Sequence, residues 1–483
     1  MLKKKYWKAE TKLEAYEHKT RGKVFFIYPP SPVLNREDRC QQPTKELIVI
    51  PPLPPTDLMY LAAIAEQERY TAKIKDFSQS GNFVQELREY NPDYIVANVA
   101  MPTFESDMRA LHEAKMVLPN AIIIVKGAPF LIYNKNLPYE KPFIDYVIMG
   151  EAEYTLRDIL RGVPNQEIQG ICYIDNMQPQ KNEMRPFIEN LDELPFPARH
   201  LIDNNLYKRP DNGKVQAVIK VSRGCPYHCF FCLATPVSGE KVRKRSAENI
   251  ILEIKECVEK YRITNFIFWS DIFNIDRDWT IDLCKKIISS GLKITWSSNT
   301  RANTMDDEMA GWMYKSGCRL VSIGVESGSQ EILNNIGKKI TLDEIRNTVK
   351  ILKKNKIKIY NYFVLGLPWE TEQTANETIK FAIELDSDYV SFYTATPLPG
   401  SRFYDYAKEH NLFDNETSFE NAYYYPAVNT HELTRERVFE LHKSAIKRFY
   451  LRPMYILKML LKIRSFAEIK SYFTAGINLL LRK

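Results

Sequence analysis

The sequence predicts two α/β units in tandem, a doubly wound parallel-sheet domain and then a full or partial barrel of six βα units, followed by a helical basic tail. Three observations carry that reading. Short continuous apolar runs alternate with helical stretches up to about residue 175. The same rhythm restarts beyond residue 212, after a connector rich in Pro, Asn and acidic side chains. The last fifty residues lose the rhythm and gain positive charge.

In the first unit, Lys23–Tyr28 is an apolar run stopped by Pro29-Pro30. Leu58–Tyr70 has helical spacing after the proline-rich segment Pro51–Pro55. Tyr94–Val99, Ala121–Val125 and Asp145–Met149 are continuous apolar runs of the kind that strands buried on both faces require. Ser106–Val117 reads as the helix between the first two of these. Such βα alternation predicts a parallel sheet that binds ligands at the carboxyl ends of its strands. This domain is assigned residues 1–190 and the linker 191–212, which includes Leu191-Asp192-Glu193-Leu194-Pro195-Phe196-Pro197.

In the second unit, 213–410, the strand candidates are Ala217–Val221, Asn265–Trp269, Ile294–Ser297, Arg319–Gly324, Lys358–Leu365 and Tyr389–Tyr393. Helices are expected between them, as at Ala247–Tyr261, Thr280–Ser290 and Leu342–Lys354. Barrels of this kind place chemistry at the carboxyl ends of their strands. The remaining 411–483 form a basic, amphipathic helical region, with twelve Lys or Arg against three Glu from Arg435 to Lys483.

Composition bounds the rest. Hydrophobic residues are 45% and charged residues 26% of 483, and Lys plus Arg exceed Asp plus Glu by 67 to 60, so the chain can bury ordinary cores and is only mildly basic. Eight cysteines, five of them scattered singly, do not form a disulfide framework. The basic start Met1–Lys8 is followed by no apolar core of a signal peptide, and no apolar run is long enough to span a bilayer. A cytoplasmic location is the expectation.

The other three cysteines sit together. The first barrel strand runs into Ser222-Arg223-Gly224-Cys225-Pro226-Tyr227-His228-Cys229-Phe230-Phe231-Cys232, a Cys-x3-Cys-x2-Cys loop. Thiolates are soft ligands that suit iron–sulfur clusters or zinc. A structural zinc site wants four ligands, usually from two paired knuckles, and here no second pair exists; His228 is the one nearby candidate for a fourth. Three thiolates on a four-iron cluster would leave one iron open, at the place where a barrel enzyme puts its reactive group.

This loop, with an aromatic just before its last cysteine, resembles that of the radical S-adenosylmethionine (SAM) superfamily. Segments further along resemble the superfamily's strand motifs in order. Phe268–Phe273 carries Asp271, and Trp296–Arg301 carries Asn299 and Arg301. Val321–Gly328, with Glu326 and Ser327, is similar to "GIESG". Phe363–Pro368, with Gly366, is similar to "GLPGET" except that Trp369 replaces the second Gly, and Thr396–Ser401 is similar to "PLPGT". The resemblance implies that Cys225, Cys229 and Cys232 hold a [4Fe-4S] cluster. It also implies that Phe231, Asp271, Asn299, Arg301, Glu326, Ser327 and Gly366 line the SAM site, with Asp271 toward the methionine amine.

The first unit resembles the cobalamin-binding domain that precedes the barrel in one branch of the superfamily. The likeness lies in Leu58–Ala63, Met101-Pro102-Thr103-Phe104, Gly127-Ala128-Pro129 and Gly150-Glu151-Ala152-Glu153-Tyr154-Thr155, and continues through Pro186–Pro197. It implies cobalamin contacts at Pro102, Thr103, Gly127, Gly150 and Glu151. Two departures stand out. The usual Gly-Gly-x-His reads Gly127-Ala128-Pro129-Phe130, and no Asp-x-His-x-x-Gly run offers a histidine to cobalt.

What the resemblance implies for function is reductive cleavage of SAM to a 5′-deoxyadenosyl radical, driven by a flavodoxin- or ferredoxin-type donor. The radical would act at an unactivated carbon, for methylation or for rearrangement or cyclisation. The alternatives are a radical enzyme without cobalamin and a non-catalytic, membrane-associated metal-binding scaffold. The tail, where Arg448, Arg452, Lys458, Lys462 and Arg464 interleave with Phe449, Tyr450, Leu451, Tyr455, Leu457 and Leu460, suits contact with an anionic bilayer and a lipid or isoprenoid substrate. A capping subdomain with a solvated charged face fits the tail equally. Nucleic acid is not an expected partner, since no reader motif accompanies the charge.

Overall fold

The computed structural model describes residues 20–31, 34–37, 40–43, 52–131, 135–209, 213–413 and 425–462. The tail beyond Lys462, and Pro51 of the proline-rich segment, lie outside these residues.

The strands, in chain order, are β1 (Lys23–Tyr28), β2 (Leu34–Glu37), β3 (Cys40–Pro43), β4 (Thr71–Asp76), β5 (Tyr94–Asn98), β6 (Ile122–Lys126), β7 (Tyr146–Ile148), β8 (Ile171–Asp175) and β9 (Gln178–Lys181). All but the β2–β3 hairpin join one sheet in the order β4-β1-β5-β6-β7-β8-β9, parallel from β4 to β7. Alternate side chains explain the two helical layers. Val24, Phe26 and Tyr28 pack into one apolar cluster with helices Thr56–Gln67 and Glu153–Arg161. Phe25 and Ile27 pack into the other with Phe83–Tyr90 and Phe104–Val117. Strands buried on both faces must be apolar throughout, which is why they read as continuous runs.

The sheet is parallel as expected except at one edge. β8 pairs antiparallel with β7, and β9 turns back on β8. The β8–β9 turn has Asn176 at φ 47° and Met177 at φ 63°, the left-handed pair of a two-residue hairpin turn, without the Gly that usually advertises one.

The second unit contains β10 (Gln216–Lys220), the short pair β11 (Ser222–Arg223) and β12 (Arg243–Lys244), then β13 (Asn265–Trp269), β14 (Thr295–Thr300), β15 (Cys318–Glu326), β16 (Lys358–Leu365) and β17 (Tyr389–Thr394). The six long strands are all parallel, in the order β10-β13-β14-β15-β16-β17, and β10 does not pair with β17. The barrel is therefore partial. Its helices begin on oxygen-bearing caps: Ser246, Asp276, Asp306, Thr341 and Thr371 each accept the N–H three residues on. Outward residues such as Ile219, Phe268, Trp296, Ile323 and Phe363 pack beneath those helices, Phe268 stacked on Trp296 at 4.7 Å between centroids.

Two features close the assembly. The connector is a bonded strap, tied through Arg199 to helix Ala247–Tyr261. Glu253 there receives both Arg199 and Arg245, all three side chains at most 4% exposed. The strap also bonds the first unit, Ala198 N–H donating to the Met59 carbonyl. At the open edge of the barrel, helix Arg435–Tyr450 covers β17, where the Tyr450 hydroxyl donates to the Val390 carbonyl and accepts its N–H. Sealing an edge strand in this way removes a site of unwanted pairing. This much of the tail is a structural cap. No helix among the described residues is long and apolar enough to cross a membrane.

Candidate active site

The cysteine loop leaves β11 at Gly224 and returns at β12. Gly224 has φ 103°, and a Cβ there would fall 2.1 Å from the Lys241 carbonyl oxygen, so only glycine fits the departure. The loop is stapled from several sides. Cys225 N–H donates to Gly239 O, Cys232 N–H to Cys229 O, and Phe230 N–H to Ile336 O. The Phe230 ring lies 4.9 Å from Trp369, 5.3 Å from Phe403 and 5.5 Å from Tyr406. Trp369, the departure from the glycine-rich turn, is thus explained: its bulk backs the cysteine loop.

The three thiols open on one cavity of about 380 Å³, which runs from the loop down the barrel. Phe231, Asp271, Asn299, Arg301 and Glu326 line it as well. Asp271 accepts the Gly224 N–H at 2.7 Å, which joins the second strand's acid to the start of the loop. Asn299 donates to the Asp271 carbonyl at 3.1 Å. The Arg301 guanidinium lies 3.8 Å over the Tyr227 ring and donates to Asn303. Glu326 sits at φ 68°, uncommon for a residue other than glycine, beside a register shift between β15 and β16, and its carboxylate meets Lys338 at 2.7 Å. Backbone strain of this kind gathers at functional sites.

Ser327 and Gly366 are not among the lining residues. The Ser327 hydroxyl meets Thr378 at 3.0 Å, and Gly366 at φ 87° leaves room for Val438, which an added Cβ would meet at 2.8 Å. Both shape the turns around the cavity. His228, weighed as a fourth metal ligand, is half exposed, lies 3.6 Å from Glu240 and does not line the cavity.

Lys338 was not singled out from the sequence, where Lys338-Lys339 looks like surface charge. Burial works to lower its pKa, but Glu326 and Cys229 outweigh that and hold it raised, so a fixed cation stands beside the thiols.

A second space lies between the units, facing the carboxyl ends of the first sheet. Gly150, Asp57 and Lys126 line it from that side, and Lys220, Trp269 and Asp271 from the barrel. Asp57 accepts from Tyr28 at 2.6 Å and from Lys126 at 3.1 Å. Burial alone would raise this carboxyl, but Lys126 and Lys220 hold it below the usual range. A lysine directly after an apolar run, as in both Ile122–Lys126 and Ala217–Lys220, was the sequence signal for these residues.

Pro102, Thr103 and Gly127 stand at the ends of β5 and β6 but do not line that space. Thr103 donates to Asp107 at 2.8 Å, and a Cβ on Gly127 would meet Val99 O at 2.1 Å. Glu151 borders the space, yet its carboxylate is engaged by the barrel. It receives Arg223 at 3.0 Å, Arg243 at 2.9 Å and the Ile188 N–H at 2.7 Å, while Glu153 takes the other Arg223 nitrogen at 2.6 Å. Burial opposes the charge on Arg223, but Glu153 and Glu151 more than offset it. Since Arg223 precedes Gly224, this cluster clamps the first unit onto the root of the cysteine loop.

The donor sets can be matched to cofactors. Three thiols on one cavity, with a buried cation beside them, fit an anionic iron–sulfur cluster held by three ligands. The polar row at the sheet's carboxyl ends suits the amides of a corrinoid in its chemistry, while the space it borders, about 90 Å³, would have to widen to admit one. Among the described residues no histidine lines that space, so a metal held there would take no imidazole from it.

Comparison with known proteins agrees. Residues 219–382 match the radical SAM superfamily and residues 51–160 the B12 binding domain. An uncharacterized methyltransferase of Pyrococcus horikoshii is 31% identical over a 434-residue match that covers 86% of this chain and 94% of that protein. The anaerobic magnesium-protoporphyrin IX monomethyl ester cyclase of Cereibacter sphaeroides is 24% identical, covering 83% of this chain and 67% of its own. Among solved structures, the cobalamin-dependent S-adenosylmethionine radical enzyme OxsB, with aqua-cobalamin and S-adenosylmethionine bound, superposes with a TM-score of 0.72 at 16% identity, covering 97% of this chain and 73% of that one. The radical S-adenosylmethionine methyltransferase TsrM from Kitasatospora setae, with cobalamin and [4Fe-4S] cluster bound, does so at 0.67 and 14%, covering 89% of each.

Proposed function

The chain belongs to the radical SAM superfamily, in the branch that carries a B12-binding domain ahead of the barrel, and from that premise we propose that it methylates, or else rearranges or cyclises, a small molecule at an unactivated carbon. When bound, the [4Fe-4S] cluster and SAM supply a 5′-deoxyadenosyl radical, and cobalamin supplies a transferable methyl group. The observation that carries the reading is the meeting of Cys225, Cys229 and Cys232 with Asp271, Arg301, Glu326 and Lys338 on one cavity.

In this reading Cys225, Cys229 and Cys232 would hold the cluster, and the polar residues around them would hold the methionyl group of SAM beside it. Asp271, fixed by Gly224, receives the amine, and Arg301 with Lys338 offers the carboxylate its cations. Asn299 and Phe231 border the rest of SAM, and Glu326 keeps Lys338 charged and aimed. Ser327 and Gly366 keep the surrounding turns in shape. Cobalamin would lie between the units over Gly150, with Asp57, Lys126 and Lys220 turned toward its amides and Pro102, Thr103 and Gly127 shaping the sheet ends behind them. Glu151 would hold the two units at the spacing that cofactor needs. A flavodoxin- or ferredoxin-type protein is the electron donor that suits such a cluster.

The corrinoid content and optical spectrum of the anaerobically purified protein test this assignment. About one corrinoid per chain is expected; a protein that cannot take up cobalamin would leave a radical enzyme with an unused sheet domain.

Peripheral contact with an anionic bilayer belongs to the same proposal. Its support is helix Pro453–Lys462, where Met454, Leu457, Leu460 and Leu461 are 48–77% exposed. Leu457→Glu with Leu460→Glu should abolish flotation with anionic liposomes and leave the barrel cap intact; equal flotation would remove the membrane from the account.

A further inference from the structure

The charges of the cavity are gathered at the cysteine end. Asp271, Arg301, Glu326 and Lys338 all stand at or beyond the carboxyl ends of their strands. Farther in, the lining is neutral apart from Arg209. Gln216, the first residue of β10, is four residues before Lys220, about 13 Å at the rise of a strand. Gln216 thus stands at the end of the strands opposite the thiols that would anchor SAM, the end a substrate's far side would reach.

Gln216 is 2% exposed and lines the cavity, and neither its Oε1 nor its Nε2 meets a hydrogen-bond partner among the described residues. Its backbone is satisfied, the N–H donating to Tyr207 O at 3.0 Å, so the strand does not use the side chain. A buried polar atom left unmet destabilises the fold that holds it. A side chain that carries both a donor and an acceptor in this condition is suited to a ligand with the complementary pair.

The walls around it say what else that ligand contains. Tyr360, Tyr362 and Tyr393 line the cavity from the last two strands, with Leu320 and Ser322 between them and β10. Tyr360 meets the Ser391 hydroxyl at 2.5 Å and Tyr362 donates to Ser322 at 3.2 Å, so these rings are held in place. Ring faces fixed in this way suit a flat or apolar body. Arg209, half-buried, is the cation among the lining residues at this end.

We propose that Gln216 is a specificity-determining residue that reads a neutral amide or lactam group on the part of the substrate remote from the reacting carbon, with the substrate's planar body against Tyr360, Tyr362 and Tyr393. The proposal rests on the radical SAM reading for the location of SAM. It goes beyond that reading by naming the chemistry of the substrate's far end. A site built to bond such a group rejects analogues that lack it, because its own amide is then left unpaired.

Equilibrium dialysis of the anaerobically reconstituted holoenzyme, with SAM present, tests it using radiolabelled benzamide and benzoate as probes. Saturable benzamide binding in the millimolar range is expected, weakened at least tenfold in Gln216→Met and unchanged in Arg209→Gln. Iron content and SAM binding should stay at wild-type levels in Gln216→Met; should that variant fail to fold, Gln216→Asn must show the same loss. Benzamide binding that is equal in wild type and variant, or absent at about 10 mM, overturns the proposal. So does benzoate binding more tightly through Arg209, which would place an anionic group there. Failure of the radical SAM reading would show instead as missing iron or missing SAM cleavage in the wild type, which the dialysis does not read.

Discussion

Glu151→Gln should loosen the root of the cysteine loop without touching a cysteine. The wild-type carboxylate, 8% exposed, accepts from Arg223, Arg243 and the Ile188 N–H. The glutamine is the same size but neutral, and it turns an amide donor toward groups that are all donors. Removing one partner of a buried ion pair costs about 3–5 kcal/mol. Part of that is spared, because Arg223 keeps Glu153 at 2.6 Å and Arg243 keeps the Ile188 and Ser238 carbonyls, each at 2.7 Å. About 3 kcal/mol is the expected net loss. It should appear as local opening, so hydrogen exchange across 222–232 and 185–190 should quicken by about a hundredfold. Glu189→Gln is the internal control. Its partner is Lys241, and both side chains are about 70% exposed, so it should change exchange by no more than a few-fold. Protection unchanged within about threefold in Glu151→Gln would refute the claim that this cluster clamps the two units.

Gly224→Ala forces a Cβ to within 2.1 Å of the Lys241 carbonyl oxygen and should drop iron after reconstitution from about four per chain to below one, measured by ferrozine. Burial pushes the thiols of Cys172 up to about 11 and of Cys257 and Cys284 to about 12. Iodoacetamide at neutral pH should therefore label Cys229 and Cys232 in the iron-free protein and spare those three, read by peptide mass spectrometry. Burial also raises the Glu370 carboxyl to about 8, with the Gly366 N–H pulling the other way. The folded state then holds this proton more tightly than the unfolded chain, so the group's stabilisation is full below pH 4.5, declines as pH rises and is gone above about 8. Glu370→Gln should gain urea resistance relative to wild type as pH rises from about 5 to 8; an advantage that shrinks over that range would contradict the assignment.

Strands that are apolar on both faces were legible, most of them with ends displaced by one to three residues. Lys23–Tyr28, Asn265–Trp269 and Lys358–Leu365 fall where the sequence places them. Edge strands were not: Thr71–Asp76 has two lysines and Gln178–Lys181 is polar, because each pairs on one side only and meets water. The cysteine loop was legible because its residues are contiguous. Phe231, Asp271, Asn299, Arg301 and Glu326 were legible through the resemblance and do line the cavity, but its inner wall was not, because each strand contributes one or two residues from a different part of the chain. Gln216 and Lys338 look ordinary alone and gain meaning only from what the barrel brings beside them. The clamp was hidden for the same reason, since Glu151 and Arg223 lie 72 positions apart.

The account depends most on the three thiols. Anaerobically reconstituted wild type, reduced with dithionite and given SAM, should release 5′-deoxyadenosine, and a variant with Cys225, Cys229 and Cys232 all changed to Ala should release none. A triple variant that keeps about four irons per chain and forms 5′-deoxyadenosine at the wild-type rate would contradict it.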